Sequence, residues 1–375
     1  MEKMKILWIT NIPSPYRVNF FNELGKQVDL TVIFERQSSK ERDALWNNFS
    51  SKWFNSIFLN GLKYDRDKSM SFNVYKYLKE YTQYDKIVIS NPFTFTGIVS
   101  IFYTKLLKVN YSIECDGGFV KPEFFLKKFF KRIILGKAPL YLSTSKELDE
   151  YYINYGAKSK NIRRYPFTSI YGKDILEFPL TFDEKKILKS KFDIKETFVC
   201  LFVGQFIKRK GIDILMKISK ELDSDIGLYC IGGVPTENMI AYTKKHNIKN
   251  IHFVEFLDST KVKEYYRLAD IFILPTREDI WGLVINEAMA NGLPIITTNR
   301  CIAGLELAND GGGRLFNPDD INKMASYIEY LIENDDVRYT MGISNIERVS
   351  QYTIEKMSEE HMRIFNGEIK NIVRL

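Results

Sequence analysis

The chain has 375 residues, 45% of them hydrophobic and 27% charged, with a formal net charge of +7. That length supplies two domains with full cores, and the composition excludes a disordered or fibrous chain. No apolar run approaches the ~20 residues that span a bilayer, and MEKMKILWITNIPSPY passes straight into a strand rather than a signal peptide, so a cytoplasmic chain is expected. The positive excess comes without an RNA- or DNA-binding motif, so nucleic acid is not an expected partner; a basic surface facing anionic lipid or nucleotide fits it. Cys115, Cys200, Cys230 and Cys301 lack C-x-x-C spacing and read as reduced core residues. The histidines, His246, His252 and His361, all lie in the second half, so chemistry in the first half proceeds without one.

In chain order, a strand over Lys5 to Thr10, a turn Asn11 to Pro15, a helix carrying Val18, Phe20, Phe21 and Leu24, and a strand Val28 to Phe34 open a doubly wound α/β domain. The turn lacks G-x-G-x-x-G, so no dinucleotide site is indicated. Tyr16 and Arg17 fall at the C-terminal edge of the first strand, where ligands dock in such folds; a proline-stiffened turn is the plainer alternative. Residues 36–71 are polar, aromatic and irregular, ending in the charged loop Lys63 to Lys68. A helix Phe72 to Tyr81, a strand Lys86 to Ser90, a helix Thr94 to Leu107 and a strand Tyr111 to Cys115 follow. The last runs into Asp116-Gly117-Gly118, the second place where function is expected.

Residues 121–137, KPEFFLKKFFKRIILGK, hold six basic residues and one acidic. Two readings stand: a core helix with a solvated cationic edge, or an interfacial helix resting on anionic lipid. A strand Leu140 to Thr144, a helix N-capped by Ser145 and an extended segment Ile162 to Ile170 complete the first domain. The pattern weakens into Gly, Pro and Thr beyond Tyr171. The expected division is 1–175, 176–352, and a final helical segment 353–375.

The second domain opens with a helix Asp183 to Phe192 and a strand Phe198 to Val203. Gly204-Gln205-Phe206-Ile207-Lys208-Arg209-Lys210-Gly211 then leads into a helix Ile212 to Leu222. A glycine at a strand end, with Lys208, Arg209 and Lys210 just before a helix start, makes a diphosphate cradle. Asp223-Ser224-Asp225 spells D-x-D but only links that helix to a strand Gly227 to Ile231, so no metal is expected. A strand His252 to Phe256, a helix Ser259 to Leu268 and a strand Ile271 to Leu274 follow. Next come the polar loop Thr276 to Ile280 and a helix Gly282 to Asn291, ended by Gly292 and Pro294 before a strand Ile295 to Thr298. Glu278, Asp279 and Glu287 flank this glycine-led helix start, whose N–H groups at Gly282, Leu283 and Val284 suit a phosphate. Helices from Asp319 onward finish the chain, the last at about Thr353 to Asn366.

The run DIWGLVINEAMANGLP, Asp279 to Pro294, resembles the donor-sugar motif of the retaining family 4 glycosyltransferases, E-P-F-G-L-x-x-x-E-A-M-A-x-G-x-P. Gly204 to Gly211 is similar to that family's G-R-L-x-x-x-K-G, with Gln205 where the Arg is expected and Lys210 at the Lys. WITNIPSPYR resembles the start of its bacterial polysaccharide members, and Ala303 to Glu306 and Asp310 to Arg314 its G-x-x-E and D-G-x-x-G turns.

The resemblance implies the GT-B fold: two Rossmann-like domains facing each other across a cleft, the first binding acceptor and the second nucleotide sugar, with the last helix crossing back to the first. It implies transfer with retention and without metal or other cofactor, from a UDP-sugar in preference to a GDP-sugar. The implied acceptor is a glycan, in particular a lipid-linked capsular or exopolysaccharide intermediate at the inner face of the plasma membrane. Residue by residue, Glu287 would accept the ribose hydroxyls, and Asp279 or Glu278 would orient the sugar. Lys210, with Lys208 or Arg209 making good the Arg that Gln205 replaces, would join Gly204 and the N–H groups at Gly282, Leu283 and Val284 on the diphosphate. The family's first-domain histidine is absent, and Asp116 stands in its place beside the sugar or the acceptor hydroxyl, or else simply opens its Gly-Gly turn. Competing readings are a nucleotide-sugar 2-epimerase of the same fold, opposed by the histidine-free first half, and a non-catalytic membrane-associated scaffold.

Overall fold

Short runs such as KILWIT and FVCLFV are apolar along both faces, a pattern that suits strands buried on both sides and joined in parallel by crossover helices. A computed structural model describes residues 2–36, 50–59, 61–65 and 68–368 and bears this out. The contacts divide the chain into two units, one comprising residues up to Ser169 together with those from Thr353, the other Ile170–Tyr352.

The first unit contains β1 (Lys5–Thr10), α1 (Pro15–Gly25), β2 (Asp29–Phe34), β3 (Asn55–Phe58), an antiparallel pair β4 (Leu62–Asp65) and β5 (Lys68–Met70), then α2 (Val74–Lys79), β6 (Lys86–Ser90), α3 (Phe95–Leu106), β7 (Ser112–Glu114), α4 (Phe125–Leu135), β8 (Leu140–Ser143), α5 (Lys146–Asn154) and β9 (Ile162–Arg164). Its seven-stranded sheet runs β3-β2-β1-β6-β7-β8-β9, every pairing parallel. Ser145 caps α5, its side chain accepting from Leu148 N at 3.1 Å.

The second unit contains α6 (Phe182–Lys191), β10 (Phe198–Val203), α7 (Ile212–Glu221), β11 (Ile226–Ile231), α8 (Glu237–Lys245), β12 (Ile251–Val254), α9 (Ser259–Leu268), β13 (Ile271–Leu274), α10 (Leu283–Ala290), β14 (Ile295–Thr298), β15 (Gly313–Phe316), α11 (Ile321–Glu333) and α12 (Asp335–Val349). Its six-stranded parallel sheet runs β12-β11-β10-β13-β14-β15. Both orders are doubly wound, reversing direction beside their first strand, between β1 and β6 and between β10 and β13.

The helix α13 (Ile354–Phe365) belongs to the first unit, where it packs on α1. Its His361 is buried among Phe20, Trp8 and Tyr165, with ring centroids 4.8, 5.6 and 4.4 Å away. Burial pushes the His361 imidazole down to about 3, so it is neutral, with Nδ1 donating to Met357 O at 2.7 Å.

Several elements differ from the sequence reading for identifiable reasons. β3 lies in the stretch read as irregular; within 36–71, residues 37–49, 60, 66 and 67 are outside the described residues. α8 buries none of its side chains, so it carries no apolar stripe to betray it. β15 is short and begins on Gly313, where a Cβ would stand 2.7 Å from Ile295 O. Gly304–Ala308 is one π-helical turn rather than a tight turn. The second unit starts at Ile170, ahead of the 175/176 division expected. The segment is tied to that unit, Leu176 N donating to Ala290 O at 2.9 Å and Lys263 Nζ to Asp174 at 2.5 Å.

Candidate functional site

Open α/β sheets bind ligands outside the carboxyl ends of their strands, where the strand order reverses. In the second unit that place lies between β10 and β13, and the loops following those strands are the ones singled out in the sequence. They are stitched together. Arg277 N and Thr276 Oγ1 donate to Arg209 O at 2.8 and 2.9 Å, and Arg209 NH1 donates to Glu278 O at 2.9 Å. Arg277 also grips both oxygens of Asp213 at 2.7 Å and the carbonyl of Lys208 at 2.6 Å. Gly211, at φ +83°, lets the loops approach this closely; a Cβ there would stand 2.1 Å from Pro275 O.

This stitching places the cations. Lys210 is half-buried and its ammonium pairs with the carboxylate of Asp279. Asp279 is buried and fixed through its backbone, its N donating to Arg300 O at 2.8 Å and its O accepting from Ile302 N at 3.2 Å. Of the two adjacent acids, Asp279 is thus the one brought to Lys210. Glu278 is half-buried, and its carbonyl takes the Arg209 guanidinium and, at 3.1 Å, Thr276 Oγ1. Gly204 ends β10 half-buried, while Gln205, Lys208 and Arg209 are exposed.

Gly282 leads into α10 at φ +101°, with room for no side chain: a Cβ would stand 2.8 Å from Cys301 Sγ. Leu283 and Val284 form the first helical turn and are half-buried, so their N–H groups belong to the open end of the helix. Trp281 pins the entry from behind, Nε1 donating to Asn286 Oδ1 at 2.9 Å and its carbonyl accepting from Cys301 Sγ at 3.1 Å. Burial, with the Asp279 charge nearby, pushes that thiol up to about 12, so Cys301 packs rather than reacts. Glu287, half-buried one turn along α10, accepts from Tyr266 Oη at 3.0 Å. Burial and the Glu287 charge raise the Tyr266 phenol, which keeps its proton to donate. Tyr266 carries no mark in the sequence, being one of two adjacent tyrosines in α9.

In the first unit the expected roles of Tyr16 and Arg17 divide. Arg17 points inward, 2% exposed, its guanidinium between Glu114 (2.6 Å) and Asp116, so it is not available as a ligand clamp. Tyr16 remains half-buried and donates to Asp116 Oδ2 at 2.7 Å. Residues 121–137 depart from the core-helix reading. In and beside α4, Phe124, Phe125, Leu126, Phe129, Phe130 and Ile133 are exposed, and only Ile134 and Leu135 of the helix are buried. Among the described residues no group of His, Cys, Asp and Glu is placed to hold a metal ion, and Asp225 of D-x-D accepts from Thr197 Oγ1 at 3.0 Å. No helix among them is long and apolar enough to cross a membrane.

Residues 183–348 match the family described as Glycosyl transferases group 1. The chain is 26% identical over 316 residues to an uncharacterized 41.2 kDa protein in the cps region of Klebsiella pneumoniae, covering 81% of this chain and 83% of that protein. It is 28% identical over 271 residues to the capsular polysaccharide biosynthesis glycosyltransferase CapM of Staphylococcus aureus, covering 69% and 68%. Among solved structures, Anabaena Alr3699/HepE in complex with UDP superposes with a TM-score of 0.78 at 15% identity, over 97% of this chain and all of that one (100%).

Proposed function

From the premise that this chain is a glycosyltransferase of the GT-B fold, with residues 183–348 of the group 1 type, we propose that it moves a sugar with retention from a nucleotide diphosphate to a glycan. The observation that carries the reading is the stitched pair of loops at the reversal of the second sheet, which gathers Lys210, Asp279 and the glycine-led start of α10. Lys210 and the N–H groups at Gly282, Leu283 and Val284 neutralise the leaving diphosphate, with Gly204, Gln205, Lys208 and Arg209 along its path. Fixed positive charge of this kind supplies the stabilisation that other transferases draw from a metal, so the reaction runs without one. Glu287, oriented by Tyr266, accepts the ribose hydroxyls, and Asp279, backed by Glu278, orients the sugar.

UDP is the favoured nucleotide, in keeping with the UDP complex of Alr3699/HepE, and the acceptor is a lipid-linked capsular or exopolysaccharide intermediate, in keeping with CapM. The exposed phenylalanines of α4, with Lys127, Lys128 and Arg132 beside them, suit a peripheral seat on anionic lipid. Thermal unfolding with UDP, GDP and their sugars, without added metal, tests the donor. Nucleotide at 100 times its Kd adds about 2.7 kcal/mol. A shift with UDP that is lost in Glu287→Ala and Lys210→Ala supports the site; no shift with any nucleotide overturns it. Co-sedimentation with phosphatidylglycerol vesicles tests the seat, which fails if Phe125→Ser/Phe129→Ser binds like the natural chain.

A further inference from the structure

The carboxyl edge of the first sheet carries a built cluster that the donor site does not use. Glu114, at the end of β7, is 0% exposed and takes three donors: Arg17 NH1 at 2.6 Å, Tyr165 Oη at 2.8 Å and the hydroxyl of Ser90. Ser90 in turn accepts from Trp8 Nε1 at 2.8 Å. The other end of the Arg17 guanidinium holds Asp116. Burial works against the charge on Arg17, and the Asp116 and Glu114 carboxylates outweigh it, so the guanidinium stays ionised. Two carboxylates against one guanidinium leave one net negative charge. The side chains of Glu114 and Arg17 are 0% and 3% exposed, that of Asp116 is 23% exposed, so the surplus charge reaches the surface at Asp116 alone.

Asp116 is also held on its remaining sides. Tyr16 Oη donates to Oδ2 at 2.7 Å, and Thr144 Oγ1 donates to the main-chain carbonyl at 3.1 Å. Each carboxylate oxygen thus has one protein donor and keeps a lone-pair direction for another. The Tyr16 phenol, raised by burial and by the Asp116 charge, keeps its proton on Asp116, while its own oxygen faces the Ser14 hydroxyl. Asp116 therefore presents acceptor oxygens, fixed in direction and carrying negative charge.

We infer that Asp116 and Tyr16 form a seat for hydroxyl groups of the glycan acceptor, that Arg17 and Glu114 are its positioning residues, and that the seat selects an uncharged sugar over an acidic one. This rests on the sugar-transfer reading and names the acceptor class for it. A fixed carboxylate matches a hydroxyl donor well and leaves an unpaired charge when the hydroxyl is missing, the arrangement that discriminates most strongly. A uronate carboxylate placed there meets like charge in a half-buried setting and is rejected.

Saturation-transfer NMR on the full chain, titrated with methyl β-glucoside, methyl β-galactoside, methyl N-acetyl-β-glucosaminide and methyl β-glucuronide, reads the seat directly. UDP-induced thermal shifts on the same samples report the donor site. At least one neutral glycoside is expected to bind, the glucuronide at least roughly tenfold more weakly, and Asp116→Asn is expected to weaken the neutral glycoside by roughly tenfold or more with its UDP shift unchanged. Tyr16→Phe is expected to weaken it less. The double variant Arg17→Met/Glu114→Gln, which removes both buried charges together, should lose glycoside affinity and keep the UDP shift, a split that general loss of structure would not give. No neutral glycoside bound, Asp116→Asn binding like the natural chain, or glucuronide held as tightly as glucoside overturns the inference. Absence of a UDP shift in the natural chain overturns the donor reading instead.

Discussion

The two sheets share a winding but carry opposite charge at the same edge. Beyond β10 and β13, Lys208 and Arg209 are exposed and Lys210 is half-buried, and the loop backbones that hold them are tied to one another. Beyond β1 and β7 the cation, Arg17, is sunk between Glu114 and Asp116, and what reaches the surface is a carboxylate. On the function proposed above, one scaffold position would seat an anion in one unit and hydroxyl donors in the other. The difference lies in where the cations stand: on the loop ahead of α7 in the second unit, and on α1 itself, turned inward, in the first.

The largest effect is expected from breaking the first edge. Arg17→Met leaves Glu114 charged and buried without its partner, which costs about 3–5 kcal/mol in urea unfolding, whereas adding Glu114→Gln should recover most of it. Recovery of none would mean that Arg17 matters for packing rather than charge. The second edge depends on backbone shape. Gly282→Ala forces a side chain at φ +101° against Cys301 and should cost about 2 kcal/mol, with loss of the UDP-induced thermal shift as the start of α10 moves. A full UDP shift in that variant would remove the helix start from the site.

The smallest effect sharpens the contrast within the first unit. Beyond β2, where the charge of the neighbouring Arg36 offsets burial only in part, stands Glu35. It accepts from Thr94 Oγ1, and burial pushes its carboxyl from 4.5 up to about 7. The folded state therefore holds this proton more tightly than the unfolded chain does. Its contribution is fully present below about pH 4.5 and is lost as pH rises through about 7. Stability should fall by about 1 kcal/mol from pH 6 to pH 7, a slope that Glu35→Gln removes. An unchanged slope in the variant would assign it to another group.

Much of this was legible along the chain because the strands are apolar on both faces and the helices between them are capped or glycine-stopped. The loops of the candidate site were legible too, since Gly204, Lys210 and Gly282 each sit at a strand end or helix start and Glu287 one turn along α10. What was not legible depends on distant partners. Lys210 meets Asp279 across 69 positions and Arg17 meets Glu114 across 97, and no local pattern reports either. The α4 phenylalanines show the other limit: helical spacing gives an apolar face without saying what covers it. Tyr266 and α8 fall outside too, one of two adjacent tyrosines and a helix with no buried face.

The placement of α13 bears on the order in which the molecule is made. The second unit is one unbroken stretch, Ile170–Tyr352, and is synthesised in full before residue 353 is added. The first unit begins earlier and finishes later, for the pocket of Trp8, Phe20 and Tyr165 stays open until His361 and Phe365 arrive to fill it. Synthesis therefore runs outside the usual sequence, with the unit translated first being the one whose core closes last.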